Sequence, residues 1–161
     1  MQYKIWDLDG TVIDSSHRYS TLANGDIDLP RWIADNTKAN IERDSLLPLA
    51  RLMQSNYRQG DIVIINTARV LGIHDHCFLA DHGIKANFIL SRAIGDNRGD
   101  AEMKRAKLIA LFADLKIPFA RWTRNATFYD DNQGVLDMAE KIGIRAKNAV
   151  QLNLQLTRKQ A

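Results

Sequence analysis

The chain has 161 residues, of which 45% are hydrophobic and 25% charged, and its net charge is +3. This composition is typical of a globular protein, and the length predicts a single domain over residues 1–161. No apolar run approaches the roughly 18 to 20 residues of a membrane helix, and no signal segment is visible. One cysteine, Cys77, excludes an internal disulfide framework. We therefore expect a cytoplasmic protein with no membrane partner and no disulfide-linked partner.

Short apolar runs predict the strands of a sheet. They lie at residues 3–6, 61–66, 87–90, 126–129 and 144–146. The second run, DIVIIN, is rich in β-branched residues and is typical of a buried strand. Because longer amphipathic segments separate these runs, the pattern predicts an α/β fold with a mostly parallel sheet.

The amphipathic segments predict the helices. Apolar residues recur at helical spacing over residues 46–57, 100–115 and 133–142, and less regularly over 70–82.

Two segments do not fit this alternation of strands and helices. Residues 14–45 are polar and too long for a simple connection, so we expect a cap-like insertion after the first strand. The polar tail from residue 150 to 161 is predicted to fray.

Polar side chains follow three of the predicted strands. They are Asp7 and Asp9 after the first, Thr67 and Arg69 after the second, and Asp130 and Asp131 after the fourth. In an open parallel sheet, ligands bind at the carboxyl ends of the strands. Four carboxylates gathered there would repel one another without a counter-charge, and Mg²⁺ is a cation that prefers oxygen ligands. The sequence therefore predicts a magnesium site at this edge.

Each feature also has an ordinary structural explanation. Asp9-Gly10 is a common turn pair, and Thr67 is an equally good helix N-cap. Asp100 and Lys104 are four residues apart on a predicted helix and can form an ion pair that orients the ammonium, although such pairs are usually structural. Among the tryptophans, Trp6 is predicted to be core, whereas Trp32 and Trp122 are candidates for stacking on bases.

Taken in chain order, these motifs resemble those of the haloacid dehalogenase (HAD) superfamily of phosphotransferases. The segment DLDGTV at residues 7–12 matches the DxDGT start of that superfamily. The chain is similar in more detail to the 3′-phosphatase domain of bacteriophage polynucleotide kinase–phosphatases. In that family an arginine follows the first aspartate by eleven residues, as Arg18 does here, and a GDxRxDxxxK segment occurs, as at residues 95–104. No GxxxxGK[ST] motif is present, so no P-loop kinase is expected.

The resemblance implies a HAD-like Rossmannoid three-layer sandwich and a two-step phosphoryl transfer. Asp7 is the implied nucleophile, which forms an aspartyl-phosphate. Asp9 is the implied general acid and base. The implied cofactor is Mg²⁺, and its implied ligands are Asp7, Asp9 through its carbonyl, Asp130 and Asp131.

The remaining residues of the motifs take substrate roles in the resemblance. Thr67 and Lys104 would bind the oxygens of the transferred phosphoryl group. Asp100 would hold Lys104 in place. Arg18 and Arg69 would grip the phosphate or the neighbouring backbone.

Three functions compete at this point. The first is a Mg²⁺-dependent phosphatase that removes 3′-phosphates from polynucleotide ends, active in the host cytoplasm if the protein is phage-encoded. The second is a phosphatase of nucleotides or other small phosphomonoesters, over which the 14–45 insertion closes. The third, a phosphate-binding protein without turnover, is disfavoured because every acid that the chemistry needs is present. The Gly95–Lys104 segment and Arg18 favour the first.

Overall fold

The computed structural model of the chain describes residues 1–18 and 20–160; Tyr19 in the predicted insertion and Ala161 at the end of the predicted tail lie outside the described residues. The strands are β1 (Tyr3–Trp6), β2 (Ile13–Asp14), β3 (Ser45–Leu46), β4 (Ile62–Asn66), β5 (Phe88–Leu90), β6 (Ala126–Asp130) and β7 (Arg145–Asn148). The helices are α1 (Leu29–Asp35), α2 (Lys38–Ile41), α3 (Leu49–Arg58), α4 (Ile73–Asp81), α5 (Asp100–Asp114), α6 (Phe119–Arg124), α7 (Gln133–Lys141) and α8 (Ala149–Gln160).

Five strands form one parallel sheet in the order β5-β4-β1-β6-β7. The central strand β1 pairs with β4 and β6, so that Tyr3 lies opposite Ile62 on one side and Ala126 on the other. Every pairing in this sheet is parallel, and the carboxyl ends of the strands therefore share one edge. The predicted α/β fold with a mostly parallel sheet is confirmed.

Alternate side chains of the central strands enter two apolar layers. Trp6 and Tyr129 stack with ring centroids 3.8 Å apart, in the layer that also contains residues of α3, α4 and α8. Ile5 and Phe128 lie in the opposite layer, with residues of α5, α6 and α7. This period of two fixes the strand register, because a shift by one residue would exchange the two layers. No helix in the described part of the chain is long and apolar enough to cross a bilayer.

The predicted insertion leaves and rejoins the main fold through the antiparallel pair of β2 and β3. Helices α1 and α2 lie between these strands. Trp32 of α1 is fully buried, in a third apolar cluster with Ile27, Ala68 and Met103. Since Ala68 follows β4 and Met103 lies in the first turn of α5, the insertion packs over the carboxyl edge of the sheet.

The expected fraying of the C-terminal tail is wrong, because this segment is the helix α8. Its Leu152 and Leu156 pack against the first apolar layer. Asn153 is buried, accepts a hydrogen bond from the Leu49 N–H at 2.9 Å and donates to the Thr11 carbonyl at 3.0 Å. The mostly polar sequence hid these inward positions, which tie the loop after β1 to the start of α3.

The other predicted elements differ from the structure mainly at their ends. Helix α3 starts at Leu49, three residues later than predicted, because Pro48 is its N-cap and Leu46 belongs to β3. The less regular segment 70–82 is the helix α4. Helix α6 was not predicted. It has 6 residues, and its Trp122 is buried against Phe112, with ring centroids 4.3 Å apart.

Candidate active site

Three adjacent strands, β4, β1 and β6, end at the centre of the carboxyl edge and form a pocket there. Of the nine residues that the sequence predicted for the site, eight line this pocket: Asp7, Asp9, Thr67, Arg69, Asp100, Lys104, Asp130 and Asp131. Arg18 is the ninth and is not a lining residue. The structure therefore brings together acids that are more than 100 residues apart in the sequence.

The loop after β1 is wound tightly around one carbonyl. The oxygen of Leu8 accepts hydrogen bonds from the N–H groups of Val12 and Ile13, both at 2.9 Å. Gly10 has φ +73°, a left-handed conformation that favours glycine, and a Cβ at this position would clash with the carboxylate of Asp131. The Asp9-Gly10 turn of the ordinary explanation is thus present, and it allows Asp131 to approach the loop.

Lys104 bridges two carboxylates in the floor of the pocket. Its Nζ donates to Asp7 Oδ1 at 2.8 Å and to Asp130 Oδ2 at 2.7 Å, and its backbone carbonyl accepts from Asn66 Nδ2 at 3.0 Å. Although burial alone would lower it, the charges of Asp130 and Asp7 raise the pKa of Lys104 above its ordinary value. Lys104 therefore stays protonated as the counter-charge of these acids.

Asp7, Asp130 and Asp131 form a group that fits a divalent cation. One carboxylate oxygen of each lies within 4.8 Å of the others. Burial raises the pKa of Asp7 well above its ordinary value, and the neighbouring carboxylates add to this rise. Burial, followed by the charge of Asp130, raises the pKa of Asp131 to about 7. Oxygen donors with an excess of negative charge are the ligands that Mg²⁺ prefers.

The side chain of Asp9 lies apart from that group and is held by other partners. Its Oδ1 accepts from Ser15 Oγ at 2.6 Å and from Arg69 Nη2, and its Oδ2 accepts from Arg69 Nε at 3.1 Å. Such a two-point contact with a planar guanidinium fixes the orientation of a carboxylate. The side chain of Asp9 is therefore held in one orientation at the pocket, and its predicted roles, as the general acid and base and through its carbonyl as a metal ligand, stay predictions.

Arg69 is itself held by further acids. Its Nη1 donates to Asp75 Oδ1 at 2.7 Å, and its Nη2 also lies 3.4 Å from Asp44 Oδ2. All three nitrogens of the guanidinium thus face carboxylates, and a direct grip of Arg69 on phosphate would require breaking one of these contacts. Although burial alone would lower it, the charges of Asp9, Asp75 and Asp44 raise the pKa of Arg69.

Arg18 belongs to the same network, further from the pocket. Its Nε and Nη2 donate to the two carboxylate oxygens of Asp44 at 2.9 and 2.6 Å, and its Nη1 donates to Asn36 at 3.0 Å. The guanidinium lies 4.3 Å from the ring centroid of Trp32. In this arrangement Arg18 supports Asp44, and its predicted contact with phosphate stays a prediction.

Thr67 does not cap a helix. Its Oγ1 accepts from the Arg69 N–H at 3.1 Å, while α4 begins six residues later with Gly72 as its N-cap. The hydroxyl lies in the wall of the pocket, where it is buried. This is the position that the strand-end hypothesis predicted for a donor to a phosphoryl oxygen.

The predicted ion pair between Asp100 and Lys104 is wrong. Asp100 Oδ1 accepts from Arg92 Nη2 at 2.7 Å, and its Oδ2 accepts from the Ile27 N–H at 2.9 Å. Lys104 lies one turn deeper in α5 and reaches Asp7 and Asp130 instead. Asp100 therefore joins the insertion to the main fold and does not orient the ammonium of Lys104.

The insertion covers the pocket. Asn132 Nδ2 donates to the Gly25 carbonyl at 3.0 Å, and Ile27 lies in the pocket wall. The space left between the acids has a volume of about 10 Å³, which is near that of one water molecule.

The tryptophans do not offer stacking surfaces here. Trp32 and Trp122 are 0% and 1% exposed, so the expectation that they stack on bases is wrong.

Comparison with known proteins places these residues in a family. The family model described as bacteriophage T5 5′-deoxynucleotidase matches residues 1–160. This chain belongs to the bacteriophage T5 5′-deoxynucleotidase family. The 5′-deoxynucleotidase of Escherichia phage T5 is 27% identical to it over 175 residues, which cover 92% of this chain and 67% of that protein.

Solved structures that include HAD-family enzymes share the fold of this chain. A chain of the Pnkp1/Rnl/Hen1 RNA repair complex superposes with a TM-score of 0.61 at 23% identity, over 92% of this chain and 42% of that one. The present chain thus spans less than half of that protein. A HAD family enzyme from Bacteroides thetaiotaomicron, in complex with magnesium and inorganic phosphate, superposes with a TM-score of 0.53 at 13% identity, over 92% and 93%. At these identities the likeness shows the fold, and the predicted resemblance to HAD phosphatases is confirmed.

Four residues of the 5′-deoxynucleotidase family member support the site and were not predicted: Ser15, Asp44, Asp75 and Arg92. Arg92 donates from Nε to the Ala68 carbonyl at 2.9 Å and also binds the loop before α5. Arg92 follows the third predicted strand by two residues, so the rule that pointed to Thr67 and Arg69 could have found it. No local pattern marks Asp44 or Asp75.

Proposed function

We propose that this chain is a Mg²⁺-dependent phosphatase that hydrolyses deoxynucleoside 5′-monophosphates. The observation that carries the proposal is the buried pocket in which Asp7, paired with Lys104, lies beside a separately held Asp9. An attacking carboxylate, a cationic oxygen ligand and a proton carrier are the groups that phosphoryl transfer through a covalent intermediate requires. The name of the phage T5 relative supports the choice of substrate class.

In the proposed reaction, an Asp7 oxygen forms a bond to phosphorus as the bond between phosphorus and the 5′ oxygen breaks. Asp9 gives a proton to the departing oxygen, so that the nucleoside leaves as an alcohol. A water molecule then gives its proton to Asp9 and attacks the same phosphorus, which returns the Asp7 carboxylate and releases phosphate. Lys104 and Thr67 donate to the phosphoryl oxygens in both steps.

The metal would be held by Asp7, the Asp9 carbonyl, Asp130 and Asp131. Bound there, Mg²⁺ supplies positive charge that reduces the repulsion between the Asp7 carboxylate and the phosphate dianion. Because the space between the acids is now close to one water in volume, and the insertion covers it at Gly25 and Ile27, part of the lining has to move when a phosphate binds. A cover of this kind favours a small substrate over a long chain.

A polynucleotide 3′-phosphatase is the second candidate. It is favoured by the GDxRxDxxxK segment, which supplies Asp100 and Lys104 to the pocket, and by the fold shared with the RNA repair complex. Against it stands the cover formed by the insertion, which reaches Asn132 on the far side of the pocket.

The test is phosphate release in Mg²⁺ from deoxynucleoside 5′-monophosphates, 3′-monophosphates, a 3′-phosphorylated oligonucleotide and p-nitrophenyl phosphate. We expect the highest kcat/KM for the 5′-monophosphates and loss of all activity in EDTA. A preference for the 3′-phosphorylated oligonucleotide would establish the second candidate instead. Asp137→Asn, an exposed acid on α7, is the matched control for Asp7→Asn in the same assays.

A further inference from the structure

A second cavity of about 150 Å³ lies beside the catalytic pocket, between the insertion and the loop before α5. Ile27 and Asp100, which are joined by a hydrogen bond of 2.9 Å, line both spaces, so the two share this wall, which is the junction between them. The insertion contributes the apolar side chains of Leu29 and Pro30, and the opposite wall is polar. Cavities of about this volume accept a single aromatic ring. An apolar wall facing a few polar groups is typical of a site for a small organic ligand.

Asp26 lies at the junction of these two spaces. It lines the second cavity, while its Oδ1 is 3.4 Å from Nδ2 of Asn132, a residue of the catalytic pocket. Its Oδ2 accepts from Asn24 Nδ2 at 3.2 Å, and a Cβ at Gly99 would lie 3.0 Å from the same oxygen. Asp26 is half-buried, and within residues 1–18 and 20–160 its carboxylate forms no ion pair within 4.0 Å. Its neighbour across the cavity, Arg98, is paired with Asp96 at 2.7 Å.

We propose that the second cavity holds the base of a nucleotide substrate, and that Asp26 selects nucleotides whose sugar carries a free hydroxyl on that side. This proposal rests on the proposed function, because it assumes that the phosphate occupies the catalytic pocket. In a nucleotide the sugar connects the phosphate to the base. With the phosphate in the catalytic pocket and the base in the second cavity, the sugar lies at the junction, next to Asp26.

The chemistry of a carboxylate determines what this junction accepts. A carboxylate only accepts hydrogen bonds, so it pairs with the 3′-hydroxyl of a deoxyribose, which can donate. A 3′-phosphate or phosphodiester has no proton to donate and carries negative charge, so it meets like-charge repulsion from Asp26. The site would therefore accept mononucleotides and reject both nucleoside 3′,5′-bisphosphates and the 5′ ends of DNA chains.

The decisive experiment compares kcat/KM for a deoxynucleoside 5′-monophosphate with that for the corresponding 3′,5′-bisphosphate, in wild type and in Asp26→Asn. Asn keeps the shape, removes the charge and adds a donor. We expect Asp26→Asn to reduce the preference for the monophosphate by about tenfold or more. Asp35→Asn, an acid of the insertion outside the cavity, is the control and should leave the preference as in wild type.

The outcomes separate this inference from the proposed function. If wild type cleaves the 5′-monophosphate and Asp26→Asn keeps the same preference, the inference is wrong and the function stands. If wild type cleaves p-nitrophenyl phosphate but no 5′-monophosphate, both are wrong.

A second variant tests the cavity without changing charge. Leu29→Trp should raise KM for 5′-monophosphates about tenfold by filling the space, whereas Ile33→Trp, exposed on the same helix, should not.

Discussion

Two clusters of three aspartates lie side by side in this site and differ in their counter-charges. The nucleophile cluster, named for the role proposed for Asp7, consists of Asp7, Asp130 and Asp131, and the arginine-bound cluster consists of Asp9, Asp44 and Asp75. Among the described residues, the first cluster has one cation within 4.0 Å, Lys104, whereas the second has Arg69 and Arg18, and its Asp44 also contacts the imidazole of His17.

The difference in counter-charge suits one cluster to binding a metal ion and the other to holding Asp9 in one orientation. In the nucleophile cluster, burial and then the charges of the neighbouring carboxylates raise the pKa values of Asp7 and Asp131, and the crowded oxygens favour a metal ion. In the arginine-bound cluster, bidentate contacts offset the charge and fix Asp9 in one orientation. Similar residues at one edge of a sheet thus differ in what their charges favour, since one group suits an added cation and the other is already paired with arginines.

The largest effect is expected from the nucleophile. Asp7→Asn keeps the shape of the side chain but removes the attacking carboxylate, so we expect kcat to fall by about 10⁴-fold or more. The variant should unfold at the same temperature or higher, because it removes one charge from a crowded cluster. Steady-state kinetics and thermal unfolding measure both. Near-normal turnover of purified Asp7→Asn in Mg²⁺ would show that another residue is the nucleophile.

The next effect concerns the arginine-bound cluster and should appear in stability. Arg69→Ala leaves the carboxylates of Asp9 and Asp75 buried without their main partner, and we expect a loss of about 3–5 kcal/mol in the free energy of unfolding. Arg31→Ala is the control, since its contact with Asp35 is exposed and is worth about 0–1 kcal/mol. Urea denaturation measures the difference. Equal stability of the two variants would mean that this cluster is not held by charge.

Sequence reasoning identified the nucleophile cluster more completely than the arginine-bound one, and the reason is topological. Asp7 and Asp130 end predicted parallel strands, and parallel strands align their carboxyl ends. Asp44 lies in the insertion and Asp75 in the first turn of α4, and the tertiary packing alone brings them to Arg69. The same limit applies to Asp100. Helical spacing predicts an ion pair with Lys104, whereas the insertion brings the Ile27 N–H to the Asp100 carboxylate.

The third prediction concerns pH. Burial raises the pKa of Asp131 to about 7, whereas the unfolded carboxyl titrates near its ordinary value of about 4. Between these values the folded state binds more protons, so metal-free protein should lose stability as the pH rises from about 4 to about 7. Asp131→Asn should show a flatter profile in EDTA, and Asp137→Asn should follow the wild type. A wild-type profile as flat as that of Asp131→Asn would contradict the raised pKa.

The smallest effect on stability should come from Asn153, which supports the loop that contributes an acid to each cluster. Asn153 of α8 binds the Thr11 carbonyl and so holds the loop that carries both Asp7 and Asp9. Asn153→Ala removes this bond and the one from the Leu49 N–H, and we expect a loss of about 1–3 kcal/mol in the free energy of unfolding. Gln155→Ala, exposed on the same helix, is the control. Because the loop contains both acids, kcat should fall while the pH dependence of stability keeps its shape. A change in that shape would instead mean that α8 contacts one cluster selectively through the loop.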